Sequence, residues 1–421
     1  MMKKIVFSLV GLFIFQATSQ AQCPTGRYIE PIFDSVDVAT DVYFGTNIRV
    51  NKDTQDLHMD IYTPNGDTET DRPVLVMAHG GTFVAGSKAD IDMVTFCKEM
   101  AKKGYVAISY DYRIGVGSVS AEEVVRAAYR ALQDGKGAVR YIRENAEMLG
   151  VDPEQVIMGG TSAGALLSLH ALYLDQGYEL PAFLDTTKYH PDTNITGLDG
   201  LEGTTNAFDQ SSRPDAVINL CGALLAKELI ADYDVDVPVV SMHGTNDETV
   251  PYKRGFVESF GFQIVEVDGS FVVDSFAKTK GITSELYTFE GAGHVPYYDF
   301  DGDGDDTSAA YMDTTVTFVS QFLYDNVLKC NKTSTAVADD VERPTQFINP
   351  FPNPTNNVAI MELPGNGPFQ IAVYDVAGKL IHKEISQSPI IRFEKSKLGV
   401  GTKIIAVHAD DRVYVGKLQI E

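Results

Sequence analysis

Gln155-Val-Ile-Met-Gly-Gly-Thr-Ser-Ala-Gly-Ala-Leu-Leu-Ser-Leu-His-Ala-Leu172 is the stretch that decides the fold. It begins as a short apolar run ending at Met158. From Ala165 it has the composition of a helix, and Gly160-Thr-Ser-Ala-Gly164 lies between the two. A chain that turns this tightly from strand to helix would bring flanking side chains into collision, hence glycine on both sides. Ser162 is then held clear of the backbone at a helix N-terminus, where free amides and the helix dipole favour negative charge. This is the local context of a nucleophile elbow.

Working outward, the same alternation continues. Val74–Ala78, Tyr105–Ser109, Gln155–Met158, Ala216–Leu220, Val239–Met242 and Glu285–Phe289 are short, rich in β-branched residues and bounded by Gly, Pro or Asp, as buried strands are. Helical patterns separate them: one over about Asp90 to Lys103, one over Ala121 to Leu149 with an expected break near Asp134-Gly135, and one opening at Ser162. Strands alternating with helices predict a doubly wound, mostly parallel α/β sheet covered on both faces. Val42-Tyr-Phe and Leu57–Tyr62 predict two antiparallel strands leading into it. Residues 175–213, rich in Gly, Thr, Asp and Asn, interrupt the pattern directly after the nucleophile helix and are expected to cap the site.

A serine hydroxyl needs a base. Among eight histidines, His382 and His408 lie near the C-terminus and His58 precedes the core sheet; His170 is expected to be packed, and His190 falls in the cap. His79 and His243 end strands, where structural hydrogen bonding is expected. His294, in Glu290-Gly-Ala-Gly-His294, follows the last core strand, in a loop at the C-terminal end of the parallel sheet, where ligands meet such sheets. The orienting acid is expected between serine and histidine, and His243-Gly-Thr-Asn-Asp247 supplies Asp247, with Glu248 as its neighbouring competitor. An attacked ester develops an oxyanion that needs preorganised donors. His79-Gly80-Gly81-Thr82, directly after a strand, lets backbone amides approach closely; Gly80, Gly81, Thr82 and Ala163 are the expected hole, with the inward-facing amides of the first loop left open.

Both ends of the chain have their own character. Lys3 and Lys4 followed by the apolar run Ile5–Phe15 and Ser19-Gln-Ala21 predict a signal peptide over residues 1–21, cleaved before Gln22. A lipid anchor on Cys23 fits less well, because Gln22 is not small. Residues 22–330 form the expected catalytic domain. Cys23 and Cys330 bracket it and are the favoured disulfide, whereas Cys97 and Cys221 read as buried thiols. Residues 331–344 are polar and aperiodic, as a linker is. Residues 345–421 hold six short strands (358–362, 370–374, 379–382, 390–393, 403–407 and 413–417), which predict a small all-β sandwich. Asp299, Asp301, Asp303 and Asp305 alternate like the start of a calcium loop, but Ala310 stands where an EF-hand needs glutamate, so a solvated acidic loop is favoured over a metal site. The net charge of −24 argues against nucleic acid and anionic membrane surfaces as partners, and no segment has the length and apolarity of a stable membrane span.

His79-Gly-Gly81, Tyr110-Asp-Tyr-Arg113, Gly160-Thr-Ser-Ala-Gly164, His243-Gly-Thr-Asn-Asp247 and Gly291-Ala-Gly-His294 occur in the order of the carboxylesterase and hormone-sensitive-lipase-like α/β-hydrolases. Asp37 to Leu328 resembles most the secreted bacterial esterases that include feruloyl and acetyl esterases. The resemblance implies hydrolysis of carboxylic esters through an acyl-enzyme, without a cofactor, on esters of plant polysaccharides or other small or polymeric extracellular esters. The capping segment matches no pattern of that family. Asn349-Pro-Phe-Pro-Asn-Pro354, Tyr374-Asp-Val-Ala-Gly-Lys379 and Val415-Gly-Lys-Leu-Gln419 resemble the C-terminal sorting domain of the type IX secretion system, which implies that export machinery as a partner and a secreted or surface location. A serine peptidase of the same fold and a non-catalytic binding module are the rival readings.

Overall fold

A computed structural model describes residues 26–118, 120–184, 198, 200–231, 236–259, 261–298, 306–328, 346–348, 350–363, 369–375, 380–409 and 412–421. The expected signal peptide, His190, Cys23, Cys330, Asp299–Asp305 and the 331–344 linker lie outside them. The chain divides into two compact units between Lys332 and Thr333.

The first unit is built on eight strands: β1 (Val36–Ile48), β2 (Thr54–Pro64), β3 (Arg72–Ala78), β4 (Val106–Tyr110), β5 (Val151–Thr161), β6 (Ala216–Leu220), β7 (Val239–Gly244) and β8 (Ser284–Phe289). They lie side by side as β1-β2-β4-β3-β5-β6-β7-β8. β1, β2 and β4 pair antiparallel, and every pair from β4 to β8 is parallel. This is the order of an α/β-hydrolase sheet. β3 shows why its sequence is continuously apolar. Val74, Val76 and Ala78 face the core built with helices Ala121–Glu144 and Ala163–Tyr173, while Leu75 and Met77 face the core built with helices Ile91–Lys102 and Asp306–Asn326. Both faces of such a strand are buried.

The helix from Ala121 runs unbroken through Asp134-Gly135 and ends at Glu144, which corrects the expected break. Ser120 caps it by accepting from the Glu123 amide. Asp134 and Gly135 are poor helix formers kept for tertiary reasons. Asp134 is fully buried and accepts from the amide and Nε of Arg113, each at 2.8 Å, and from Thr205 Oγ1 at 2.7 Å. A Cβ on Gly135 would fall 2.6–2.7 Å from Met158, Leu167 and Tyr110, so glycine lets this helix press against β4, β5 and helix Ala163–Tyr173.

The excursion after the nucleophile helix carries two short 3₁₀ turns, Gly177–Glu179 and Ala182–Leu184, and its later part returns along the long helix through Glu202–Lys136, Glu202–Arg140 and Asn206–Gly137 contacts. A second insertion, the hairpin Arg254–Ser259/Phe262–Gly269, lies between β7 and helix Ser270–Thr279 and pairs with the short strand Ala223–Leu224.

Among its described residues, the second unit is all β apart from one short helix, Lys395–Leu398. Strands Gln346–Phe347, Arg412–Ile420, Gly401–Ala409, Phe369–Asp375 and Leu380–Ser386 form one sheet in that order, and Val358–Glu362 pairs with Ile390–Glu394 in another. Met361, Phe369, Ile371, Phe393, Ile405 and Leu418 are central to its own core.

Candidate active site

Ser162 sits between β5 and its helix with φ 54° and ψ −115°, a region costly for any residue other than glycine. The strain is held in place by packing. The Ser162 amide donates to Leu220 O on β6, and a Cβ on either Gly160 or Gly164 would run into the Ala78 carbonyl of β3. The glycines therefore permit close approach to the neighbouring strand, the collision expected from the tight turn.

His294 stands in the loop after β8, with Nε2 2.9 Å from Ser162 Oγ and Nδ1 2.6 Å from Asp247 Oδ2. A carboxylate only accepts, so Nδ1 carries the proton and Nε2 of the neutral ring is left to accept from the serine hydroxyl. The Asp247 side chain is fully buried in the loop after β7. Its Oδ1 accepts from the amides of Thr249 and Val250 at 2.9 and 2.8 Å. Burial alone would raise its pKa; the hydrogen bonds from His243 and His294 outweigh this and hold it well below the usual carboxylate range. Glu248, its competitor, is exposed.

His243 plays a larger part than a strand-end hydrogen bond. Its Nε2 faces two acceptors, Asp247 Oδ2 at 3.1 Å and Val250 O at 3.0 Å, and so bears hydrogen. Its Nδ1 lies 2.7 Å from Ser270 Oγ, which also accepts from Asn219 Nδ2 at 2.9 Å. Two imidazoles thus converge on one carboxylate oxygen. A second histidine four residues before the acid was visible in the motif, but a strand-ending His-Gly has many structural uses and spacing alone did not distinguish them.

The loop after β3 carries three consecutive left-handed residues, Gly81 (φ 106°), Thr82 (φ 53°) and Phe83 (φ 61°). Gly80 lies against Ser162. Val84 and Ala85 amides close the turn on Gly81 O at 3.0 and 3.1 Å. Tyr112, from the Tyr110-Asp-Tyr-Arg113 motif, donates to His79 O and Gly80 O at 2.9 and 3.2 Å, and its ring stacks on His79 at 4.1 Å. This hydroxyl pins the loop carbonyls; its role was not read from sequence. His79 Nδ1 lies 2.7 Å from Gly80 O, in keeping with a structural role. Ala163 opens the nucleophile helix, where the first amides have no intrahelical acceptor.

The remaining candidates are accounted for. His170 is packed: its Nδ1 meets Leu166 O and its Nε2 accepts from the Leu225 amide, and burial lowers its pKa. Cys97 and Cys221 are buried free thiols, and burial pushes Cys221 up to about 12, which removes it as a nucleophile despite its place beside the site. Among the described residues no group of three or more His, Cys, Asp or Glu side chains is placed to hold a metal ion. Behind Ser162, Asp92 is buried against Thr161, and burial pushes its carboxyl up to about 6.

Ser162 also forms part of the wall of a partly open cavity between the long helix, helix Ala163–Tyr173, the first part of the excursion and the Arg254–Gly269 hairpin. The hairpin is the element that sequence reading missed. Its signal was present in Val257, Ile264 and Val267, buried residues around the turn at Gly261.

The fold and this arrangement define an α/β-hydrolase with serine, histidine and aspartate in hydrogen-bond contact. Residues 59–223 match the model of the BD-FAE family, and residues 349–421 match that of the secretion system C-terminal sorting domain. The chain therefore carries an esterase-like hydrolase domain followed by a sorting domain. It is 31% identical over 136 residues to lipase 1 of Geotrichum candidum, covering 30% of this chain and 23% of that protein. It is 29% identical over 177 residues to carboxylesterase 1D of Mus musculus, covering 38% and 31%. The chain thus spans about a quarter to a third of the length of these relatives. Among solved structures, the apo form of Thermogutta terrifontis esterase 2 matches with 24% identity and a TM-score of 0.46, covering 67% of this chain and 94% of that one. No described helix is long and apolar enough to cross a membrane.

Proposed function

We propose that the chain is a serine carboxylic ester hydrolase exported through the type IX secretion system. Ser162 is the nucleophile, His294 the base and Asp247 the orienting acid. His294 Nε2 takes the hydroxyl proton as Ser162 Oγ attacks the ester carbonyl, and Asp247 stabilises the imidazolium. The oxyanion is received by amides of the Gly80–Thr82 loop and of Ala163, whose positions were set before substrate arrives. The proton then passes to the departing alcohol and leaves an acyl group on Ser162. Water, deprotonated by the same imidazole, releases the acid. No cofactor enters these steps. The observation that carries this proposal is the unbroken chain of hydrogen bonds from the Asp247 carboxylate through His294 to Ser162 Oγ. Its substrates are extracellular esters, either those of plant polysaccharides or other small or polymeric esters.

Replacing Ser162 by alanine tests it. Turnover of an aryl ester should fall on the order of 10⁴-fold or more, as removal of a triad member does elsewhere. An organophosphate should label the parent once, at Ser162, by mass spectrometry of the digested protein. Labelling of a different serine, or undiminished turnover in Ser162→Ala, would reject the assignment.

A further inference from the structure

We propose, resting on the ester-hydrolase reading above, that the acyl half of the substrate is an unbranched aliphatic chain of medium length, and that the cavity beside Ser162 is its site. Among the described residues, the wall of this cavity contains no charged side chain. It follows the nucleophile helix from Ala163 through Leu166, Leu167 and His170 to Leu174. That spacing keeps one helix face on the cavity, which makes it a slot along the helix. The opposite wall comes from Val124, Ala128 and Leu132, one stripe of the long helix. Both insertions close it: Leu180 and Leu184 from the excursion, Val257 and Val267 from the hairpin. Polar groups in it are few. Both ring nitrogens of His170 are taken, by Leu166 O and the Leu225 amide.

The position of the cavity relative to the triad assigns it to the acyl side. Ser162, Ala163 and Thr82 line it, and His294 does not. In acyl transfer the ester C–O bond breaks as Ser162 Oγ bonds to the carbonyl carbon, and the serine proton reaches the leaving oxygen from His294 Nε2. The alcohol therefore departs on the imidazole side, and the acyl chain extends away from it, along the helix. An acetyl group would leave most of this slot empty. A hydroxycinnamoyl ring would bury a phenolic hydroxyl in a wall made mostly of Leu, Val, Ile and Ala, which is costly. A methylene chain matches the wall chemically along its length.

The test is a series of p-nitrophenyl esters from acetate to dodecanoate, with a feruloyl ester beside them, on the full chain. Each buried methylene is worth about 0.8 kcal/mol, so kcat/KM should rise roughly threefold to fourfold per carbon until the slot is full. The optimum is expected between hexanoate and decanoate. Ala128→Phe places a ring across the slot, and the octanoate-to-acetate ratio of kcat/KM should fall at least about tenfold; the parent series decides the matter by itself should that variant not fold. Acetate or feruloyl ester as the best substrate, with the others slower, overturns this inference and leaves the hydrolase intact. An unchanged ratio in folded Ala128→Phe overturns it too. No turnover of any ester overturns the hydrolase reading on which it rests.

Discussion

Asp247 shows how one residue is chosen over its neighbour. Asp247 and Glu248 are adjacent, carry the same charge and follow the same strand, so composition cannot separate them. The turn separates them: Asp247 turns inward to four donors, two backbone amides and two imidazoles, and Glu248 faces solvent. Asp247→Asn keeps the shape, removes the charge and offers an amide where a donor already points. Its kcat should fall by up to roughly 10⁴-fold. Glu248→Gln should leave kcat within a factor of about two, since an exposed carboxylate without a site contact contributes little. Comparing kcat of the two variants on one aryl ester decides between them: loss in Glu248→Gln with Asp247→Asn nearly intact would reverse the roles. The contact of Ser162, His294 and Asp247 and the glycines around Ser162 were legible because the chemistry proposed for them demands fixed residue types at strand ends. The convergence of His243 on the same carboxylate was not, because its meaning lies in a hydrogen bond to Ser270 from a different element.

At the scale of elements, the parallel strands were legible because burial on both faces leaves a continuous apolar run that no exposed segment imitates. The Arg254–Gly269 hairpin was missed because its buried positions alternate with Arg254, Glu258 and Glu266, and a half-exposed ribbon has weak contrast. The break assigned at Asp134-Gly135 failed for the opposite reason: local propensity was unfavourable, and a buried ion pair with Arg113 and a close packing contact overrode it. Asp92 poses the same conflict between local and tertiary demands. It lies in the first turn of helix Ile91–Lys102, where amides favour the carboxylate, yet burial dominates and lifts its pKa to about 6. The neutral acid is thus the form the fold prefers. Its stabilising contribution is fully present below the unfolded value near 4 and is lost as the pH rises through about 6. Asp92→Asn cannot ionise and should escape that loss. Its melting temperature should exceed the parent's by a few degrees at pH 8 and converge with it near pH 4. Thermal melts across that range check the sign; a difference independent of pH would mean that the carboxyl does not titrate between the two states.

At the scale of the molecule, the sequence changes character after Cys330, and so does the architecture. The hydrolase unit is held by two apolar layers on either face of one sheet, and the C-terminal unit has a separate core of residues from 348 onward. Among the described residues, the apolar clusters of the two units share no member. A chain ending at Lys332 keeps every described side chain of the hydrolase core and Ser162, Asp247 and His294. It should melt cooperatively and keep kcat on an aryl ester within a factor of about two of the full chain, because surface changes remote from a core are nearly neutral. Export should divide the other way. The sorting-domain match covers residues 349–421, so in a host with the type IX machinery the shortened chain should stay behind, and residues 333–421 fused to an unrelated exported protein should carry it to the surface or medium. Activity assays on fractionated cells read both halves at once. Active enzyme in the medium without the C-terminal unit would remove its sorting role. An insoluble or inactive shortened chain would show instead that the β unit supports the hydrolase fold, which the separation of the cores argues against.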